Sequence, residues 1–313
     1  MKIVFLGTSA AVPTMKRNVS ALALYFENSG KFWLFDCGEG TQQQLKKTFL
    51  KLSKLEKVFI SHFHGDHLFG LPGMLSSRTL EGVTSRVDIY GPEGIKFYID
   101  ANQKITNFHL VYELGIHTLP VQPMSIIYED DKIAVVSMLL KHSLDTYGFS
   151  VYRKPAYRFN VEKAIQHGIP EGPLFGALKS GSIIKLEDGK QYEGKDFIEK
   201  IDSGKKIVYC GDTAYCENSV ILSKGADVLI HEATFSKNED MLAKKSLHST
   251  VEDACRVAKE AEVAQLILTH FSPRYDGNKD DENVYTVENL AEEAKSFFTQ
   301  TLLAKDLMEY NVT

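Results

Sequence analysis

Ser61-His62-Phe63-His64-Gly65-Asp66-His67 places four candidate metal ligands, His62, His64, Asp66 and His67, within six positions. The residues before it, Lys57-Val58-Phe59-Ile60, form an apolar, β-branched run that reads as a buried strand ending in a loop. On an extended segment His62 and His64 alternate onto one side. Gly65 permits a sharp turn, so Asp66 and His67 address the same space from another direction. Imidazole and carboxylate are the ligand set of zinc and related divalent ions. Four such groups this close together are hard to explain as packing, because unpaired buried polar groups are costly.

Four further runs share the form of the first: IAVVSMLLKH (133–142), KKIVYCGD (205–212), ADVLIHE (226–232) and AQLILTH (264–270). Each reads as a strand that ends on His, Asp or Glu. Strands of this kind can aim their terminal side chains at one rim of a sheet, a rigid base for a site drawn from distant parts of the chain. Four ligands from one loop could serve a single ion. With His142, Asp212 and His270 there are seven, which suits two. The expected division is His62, His64 and His142 on one ion, Asp66, His67 and His270 on the other, and Asp212 shared. Two ions ~3.5–4 Å apart lower the pKa of water and hold both entering and leaving oxygens, so hydrolysis is the natural reaction class.

Helical patterns lie between the strands, at 40–54, 250–262 and 287–309. Ser249 or Thr250 is the expected N-cap of the second, with acids in its first turn. Strands interleaved with helices argue for a layered α/β fold. The chain has 313 residues, enough for one large domain or two ordinary ones. A hydrophobic fraction of 43% and a charged fraction of 25% exclude global disorder. A net charge of −5 excludes a small histone-like protein but says nothing about local patches. No apolar run approaches the ~20 residues that span a bilayer. The opening MKIVFLG reads as a strand and turn rather than a signal peptide, because it has almost no basic n-region. Four cysteines without a C-x-x-C pair do not make a disulfide scaffold. Cys210 and Cys216, either side of Gly211-Asp212-Thr213, read as small apolar residues rather than ligands.

Residues 153–195 stand apart. They hold six Gly and three Pro, with eight Lys/Arg against five Asp/Glu, which leaves −8 for the remainder. The segment is too long for an ordinary loop. A variable surface insertion is the alternative to a functional excursion.

With the later His142, Gly211-Asp212-Thr213 and His270, the SHFHGDH string resembles the metallo-β-lactamase superfamily. Further strings resemble the ribonuclease Z family in order and spacing. They are FLGTSAAVPT followed by Arg17-Asn18, FDCGEGTQQQL (35–45), YGPEG (90–94), HEAT (231–234), Leu247-His248-Ser249-Thr250 and THFSPRY (269–275). The resemblance implies a four-layer αββα sandwich, a single catalytic domain over 1–313, with 153–195 as an inserted, protruding flexible arm. It implies an endoribonuclease that removes the 3′ trailer from precursor tRNA and leaves a 3′-hydroxyl. Two zinc ions per subunit are implied by the same likeness, with manganese or magnesium as substitutes. So is a cytoplasmic homodimer whose arm serves RNA cut by the other subunit, with no membrane partner.

The same resemblance implies catalytic roles. His248 is the candidate general acid for the alkoxide that phosphodiester hydrolysis leaves. Glu232 holds its tautomer, and Asp66 helps to deprotonate the attacking water. Arg17, Asn18, Arg274 and Tyr275 fall in motifs expected near the substrate. On the arm, Gly168-Ile169-Pro170-Glu171-Gly172-Pro173 resembles the tip, and Arg153, Lys154, Arg158, Lys163, Lys179 and Lys185 are available for phosphates. One departure stands out. The family's early loop reads Pro-x-Lys-x-Arg-Asn, a loop associated with the tRNA 3′ end and its CCA, and here Met15 takes the place of the Lys. Two other readings fit the ligand set: another hydrolase on the same fold, and a metal-stabilised RNA-binding protein without catalysis.

Overall fold

Alternation along the strands divides their side chains between two faces. In the strand Lys31–Phe35, Phe32 and Leu34 join an apolar cluster with Met74, Leu75, Ile95 and Ile99. Those four come from the helices Leu71–Leu80 and Ile95–Thr106, which cover that face. Trp33 and Phe35 point the other way. Phe35 stacks on Phe59 at 4.9 Å and meets Phe149 and Tyr209 of a second sheet at 5.8 and 6.0 Å. The outer face of the second sheet carries Val208, Leu229, Leu266 and Leu268 against the helices Val251–Glu260 and Val287–Phe297. Helix, sheet, sheet and helix therefore stack as the expected αββα sandwich.

The computed structural model describes residues 1–122, 124–277 and 285–313. In the first sheet the strands run Glu309–Asn311, Lys2–Gly7, Ala21–Phe26, Lys31–Phe35, Leu55–Phe59, Val87–Gly91, Leu114–Thr118. In the second they run Thr301–Leu303, Gln265–Thr269, Val228–Glu232, Lys205–Cys210, Tyr147–Arg153, Ile133–Leu139, Ser125–Glu129. Register places the site. Phe35 pairs with Phe59 in parallel, so Asp36 and the loop that starts at Ser61 emerge side by side. In the second sheet Cys210 lies opposite His231 and Glu232 opposite Thr269, so Asp212, Glu232 and His270 emerge at one rim.

The expected helix at 250–262 is Val251–Glu260. The Thr250 hydroxyl accepts from the Asp253 N–H at 3.1 Å, and the Asp253 carboxylate accepts from the Thr250 N–H at 3.0 Å. Two other helices are shorter than their patterns. In 40–54 only Thr41–Leu45 is α-helical, because the Thr48 hydroxyl donates back to the Leu45 carbonyl at 2.7 Å and accepts from the Leu50 N–H, which closes the turn. In 287–309 the helix stops at Phe297, and the chain then adds the edge strands Thr301–Leu303 and Glu309–Asn311.

Glu129–Ala134 and Tyr152–Lys205 form a second compact unit. In it Ala156–Phe159 pairs antiparallel with Ile198–Asp202, and Ile183–Lys185 with Gln191–Glu193. Phe159, Ala164, Ile169, Phe175, Leu178, Ile184 and Phe197 make a core of its own. The unit is wider than 153–195, and the added residues are acid-rich. It holds eleven Lys/Arg and eleven Asp/Glu, so the positive charge of 153–195 does not describe the folded unit. Arg153 pairs with Asp202 at 2.7 Å, Lys154 with Glu129 at 2.7 Å and Arg158 with Glu199 at 3.0 Å. Lys179 lies over the Phe159 ring at 5.5 Å.

Candidate metal centre

Seven side chains gather at the rim. His62, His64, His142 and Asp212 form one group, and Asp66, His67, His270 and Asp212 form another. Asp212 belongs to both. A third group joins Glu232 and His248 to His270. His231 is buried, its Nδ1–H donates to the carbonyl of Glu232 at 2.8 Å, and it enters none of these groups.

Hydrogen bonds behind the cluster set the tautomers. Asp36 organises two of them. Its carboxylate accepts from the Ser61 N–H at 2.7 Å, the Ser61 hydroxyl at 2.8 Å and the Tyr209 hydroxyl at 2.6 Å. It also accepts from Nδ1–H of His67 at 2.7 Å. The Ser61 hydroxyl, spent as a donor, accepts from Nδ1–H of His62 at 2.9 Å. Nδ1–H of His142 donates to the Leu247 carbonyl at 2.8 Å. Nδ1–H of His270 donates to the Thr234 hydroxyl at 2.9 Å, whose own proton goes to Glu232 at 2.6 Å. In the neutral form of these four histidines, the form that binds a metal, Nδ1 carries the proton and a bare Nε2 faces the cluster.

Those nitrogens crowd against one another and against His64. His62 Nε2 is 3.0 Å from His64 Nδ1, and His142 Nε2 is 3.2 Å from the same atom. His67 Nε2 lies 3.4 Å from His270 Nε2. Oδ1 of Asp212 is buried and accepts no hydrogen bond, although His67 and His270 nitrogens stand 3.2 and 3.3 Å away. At Asp212 the distances fit hydrogen bonds and the directions do not. Converging lone pairs and an orphaned carboxylate oxygen are mutually repulsive unless cations sit among them. Five imidazoles and two carboxylates are borderline-soft and hard donors together, a set that fits divalent zinc or its neighbours. Burial pushes His62, His64 and His142 below the usual imidazole range, which favours the neutral form a ligand needs. His67 goes the other way: burial opposes its charge, but Asp212, Asp36 and Asp66 outweigh burial and raise it.

Backbone strain collects here. Ala11, Asp36, Leu247 and His270 have φ of 61°, 57°, 56° and 58°. Such left-handed residues cost on the order of 1 kcal/mol each and persist where surrounding bonds hold them. The Ala11 N–H donates to Asp66 at 2.8 Å, which ties the N-terminal loop to a ligand.

His248 Nδ1 lies 2.7 Å from Glu232, so Nε2 is turned to the cleft that His248 lines. Burial works against the imidazolium, but Glu232 outweighs it and the pKa is pushed up to about 9. Glu232 is itself held below the usual carboxylate range, by His248 against its burial. The cleft has a volume of about 560 Å³ and is also lined by His64, Asp66, Asp212 and His270.

Three of the residues expected near the substrate make contacts within the protein. The guanidinium of Arg17 is turned inward, to Thr8 at 2.7 Å, the Ala304 carbonyl at 3.0 Å and Asp276 at 3.2 Å. Tyr275 is buried, accepting from the Ser236 N–H at 2.8 Å and donating to Glu239. Both brace loops. Asn18 does the same, through the Glu39 carbonyl and Asp306. Arg274 pairs with Glu239 and lies over the Phe235 ring at 5.2 Å, half exposed. Lys16 donates to the carbonyls of Asp276 and Gly277, which leaves Met15 fully in solvent.

Asp36 has one signal in the sequence: it is an acid that ends the apolar run Lys31–Phe35. Asp36→Asn is expected to weaken zinc binding roughly 10- to 100-fold, the usual cost of losing such an outer partner. Competition against a chelator of known affinity measures it. Unchanged affinity would remove Asp36 from the site.

The chain resembles known proteins over its whole length. It is 45% identical over 314 residues to "Ribonuclease Z" of Crocosphaera subtropica, covering 100% of this chain and 98% of that protein. It is likewise 45% identical over 314 residues to "Ribonuclease Z" of Brevibacillus brevis, covering 100% and 97%. The crystal structure of human tRNase Z, short form, matches with a TM-score of 0.72 and 29% identity, over 100% of both chains. The metallo-β-lactamase fold protein YhfI of Bacillus subtilis shares the fold, at a TM-score of 0.66 and 20% identity over 99% of this chain and 98% of that one. A family model described as the β-lactamase superfamily domain matches residues 197–271. Another, described as anti-Pycsar protein Apyc1, matches residues 1–99.

Proposed function

The chain belongs to the ribonuclease Z family, and from that premise we propose that it removes the 3′ trailer from precursor tRNA using two zinc ions held by the seven-residue cluster. It is a metal-dependent endoribonuclease of the metallo-β-lactamase fold. Two divalent cations at this centre would supply Lewis acidity, acidifying water and drawing charge from the phosphoryl oxygens. Manganese or magnesium are the alternative ions.

The chain's own groups then have defined work. Water attacks phosphorus, a P–O bond forms, and the bond to the tRNA 3′-oxygen breaks. Asp66, fixed by the Ala11 N–H, takes the proton from the attacking water. His248 delivers its proton from Nε2 to the leaving 3′-oxygen, and Glu232 steadies the imidazolium from the other side. The products are a tRNA 3′-hydroxyl and a trailer with a 5′-phosphate. The observation that carries this reading is the His248–Glu232 pair beside the cluster, because metal binding alone has no use for it.

The experiment is direct. Zinc-loaded protein is incubated with a precursor tRNA transcript, with and without encoded CCA, and both new ends are mapped. Trailer release that disappears in His64→Ala is expected. No release, or equal release by that variant, overturns the reading.

The unit of Glu129–Ala134 and Tyr152–Lys205 is read as an arm that holds the tRNA body, acting across a cytoplasmic homodimer. Arg153, Lys154, Arg158 and Lys179 are its candidate phosphate contacts, although the first three must exchange a carboxylate for a phosphate. Ala156 and Asp202 are paired in register, so a short Gly/Ser linker can replace residues 157–201. Loss of two charge-assisted contacts is worth roughly 100-fold in kcat/KM on precursor tRNA. Hydrolysis of bis(p-nitrophenyl) phosphate is expected to change far less. Equal losses on both substrates would show that the unit serves the catalytic centre rather than the tRNA. No helix among the described residues is long and apolar enough to cross a membrane.

A further inference from the structure

Phe69 follows the helical turn Gly65–Leu68, which carries Asp66 and His67. It is 64% exposed, although it lines the same cleft as His64, Asp66 and His248. Its N–H donates to the Gly65 carbonyl at 2.8 Å, so the ring comes to rest one turn on, against Gly65. A β-carbon at Gly65 would lie 2.3 Å from the ring. Glycine there lets the ring sit against the ligand loop with its other side in the cleft. A second residue of the cleft is also without a partner. Glu39 lines it, and its Oε2 is buried and accepts no hydrogen bond.

An apolar ring without cover and a carboxylate oxygen without a donor are different deficits, and few ligands relieve both. A phosphate offers no face to Phe69 and is repelled by Glu39. An apolar group leaves Glu39 desolvated and unpaired. A nucleobase has a π-face for the ring and N–H donors at its edge for the carboxylate. The reaction assigned to this cleft brings single-stranded RNA to it. We propose that Phe69 and Glu39 form a nucleobase subsite that seats one of the two bases flanking the scissile phosphate. The proposal rests on the endoribonuclease reading above. Phe69 supplies affinity that tolerates any base, and Glu39 discriminates by the donors that each base presents.

The test uses the full-length zinc enzyme and three precursor tRNAs: intact, abasic immediately 5′ of the cut, and abasic immediately 3′ of it. With the wild-type protein, one abasic substrate is expected to lose ~10-fold or more in kcat/KM, the scale of one base–aromatic stack. In Phe69→Ala the intact substrate and that abasic one should be cleaved within about twofold of each other, and Phe69→Trp should restore the difference. Glu39→Gln should reorder the four bases at the coupled position, whereas Phe69→Ala lowers all four together. Three results overturn the proposal: wild-type enzyme indifferent to both abasic substrates, Phe69→Ala losing one factor on all three RNAs, or an unchanged base ranking in Glu39→Gln. If the wild-type enzyme cleaves none of the three, it is the endoribonuclease reading that fails.

Discussion

Asp212→Ala is expected to lower kcat/KM on precursor tRNA by on the order of 10⁴, the scale seen when a central catalytic group is removed. Asp212 is the one side chain common to both ligand groups. Its Oδ2 stands 3.6 Å from His62, and its Oδ1 stands 3.2 and 3.3 Å from His67 and His270. Without it each group keeps three ligands and loses its shared anion. Asp212→Asn should lose nearly as much, since an amide keeps the shape but not the charge. Stability separates a lost site from a lost fold. Without metal, Asp212 both keeps a buried oxygen that accepts no hydrogen bond and supplies charge beside His67, so the metal-free variant is compared with the metal-free wild type by its own Tm. Zinc binds the folded state and raises Tm by mass action. That rise should be large for the wild type and nearly absent for Asp212→Ala. Bound zinc should fall in parallel. A variant that keeps the full zinc content and the full rise in Tm would show that Asp212 does not bridge the site.

His248→Ala is expected to lose about 10²- to 10⁴-fold in turnover while zinc content stays at the wild-type level, because a positioned general acid is worth that much. The chemistry of the leaving group isolates the role. An alkoxide at the tRNA 3′-oxygen needs a proton, whereas a thiolate leaves without one. On a substrate with sulfur in place of the bridging 3′-oxygen, the His248→Ala loss should shrink to a small factor. Glu232→Gln should lose roughly 10- to 100-fold, the usual cost of losing a carboxylate that orients and charges a histidine, and should recover on the same sulfur substrate. An equal loss on oxygen and sulfur would make His248 a structural residue.

Much of this centre is legible along the chain, for a local reason. SHFHGDH crowds four donors into one loop, and each later strand ends on a group that can only be solvated, paired or bound to metal. The strands Leu55–Phe59, Lys205–Cys210 and Gln265–Thr269 sit under those endings. Other residues carry no local signature. Asp36 looks like any acid after a strand until parallel pairing brings it to Ser61 and His67. Thr234 is one hydroxyl among many until it links Glu232 to His270. Arg17 and Tyr275 are expected near the substrate through the family motifs they fall in. Their partners Asp276, Ala304 and Glu239 are remote or unremarkable in sequence, so the inward orientation could not be read. The charge of 153–195 misled for a related reason: a folded unit ends where its contacts end, and the acids of 129–134 and 196–205 lie inside that boundary.

By itself the sequence determined the donors, the apolar strands that end on them, and the family. Those properties depend on residue type and short-range spacing. The tertiary structure decided which nitrogen of His62, His67, His142 and His270 faces the cluster, and that Glu232 raises the pKa of His248. These depend on distances between atoms far apart in the chain, and strand register sets such distances.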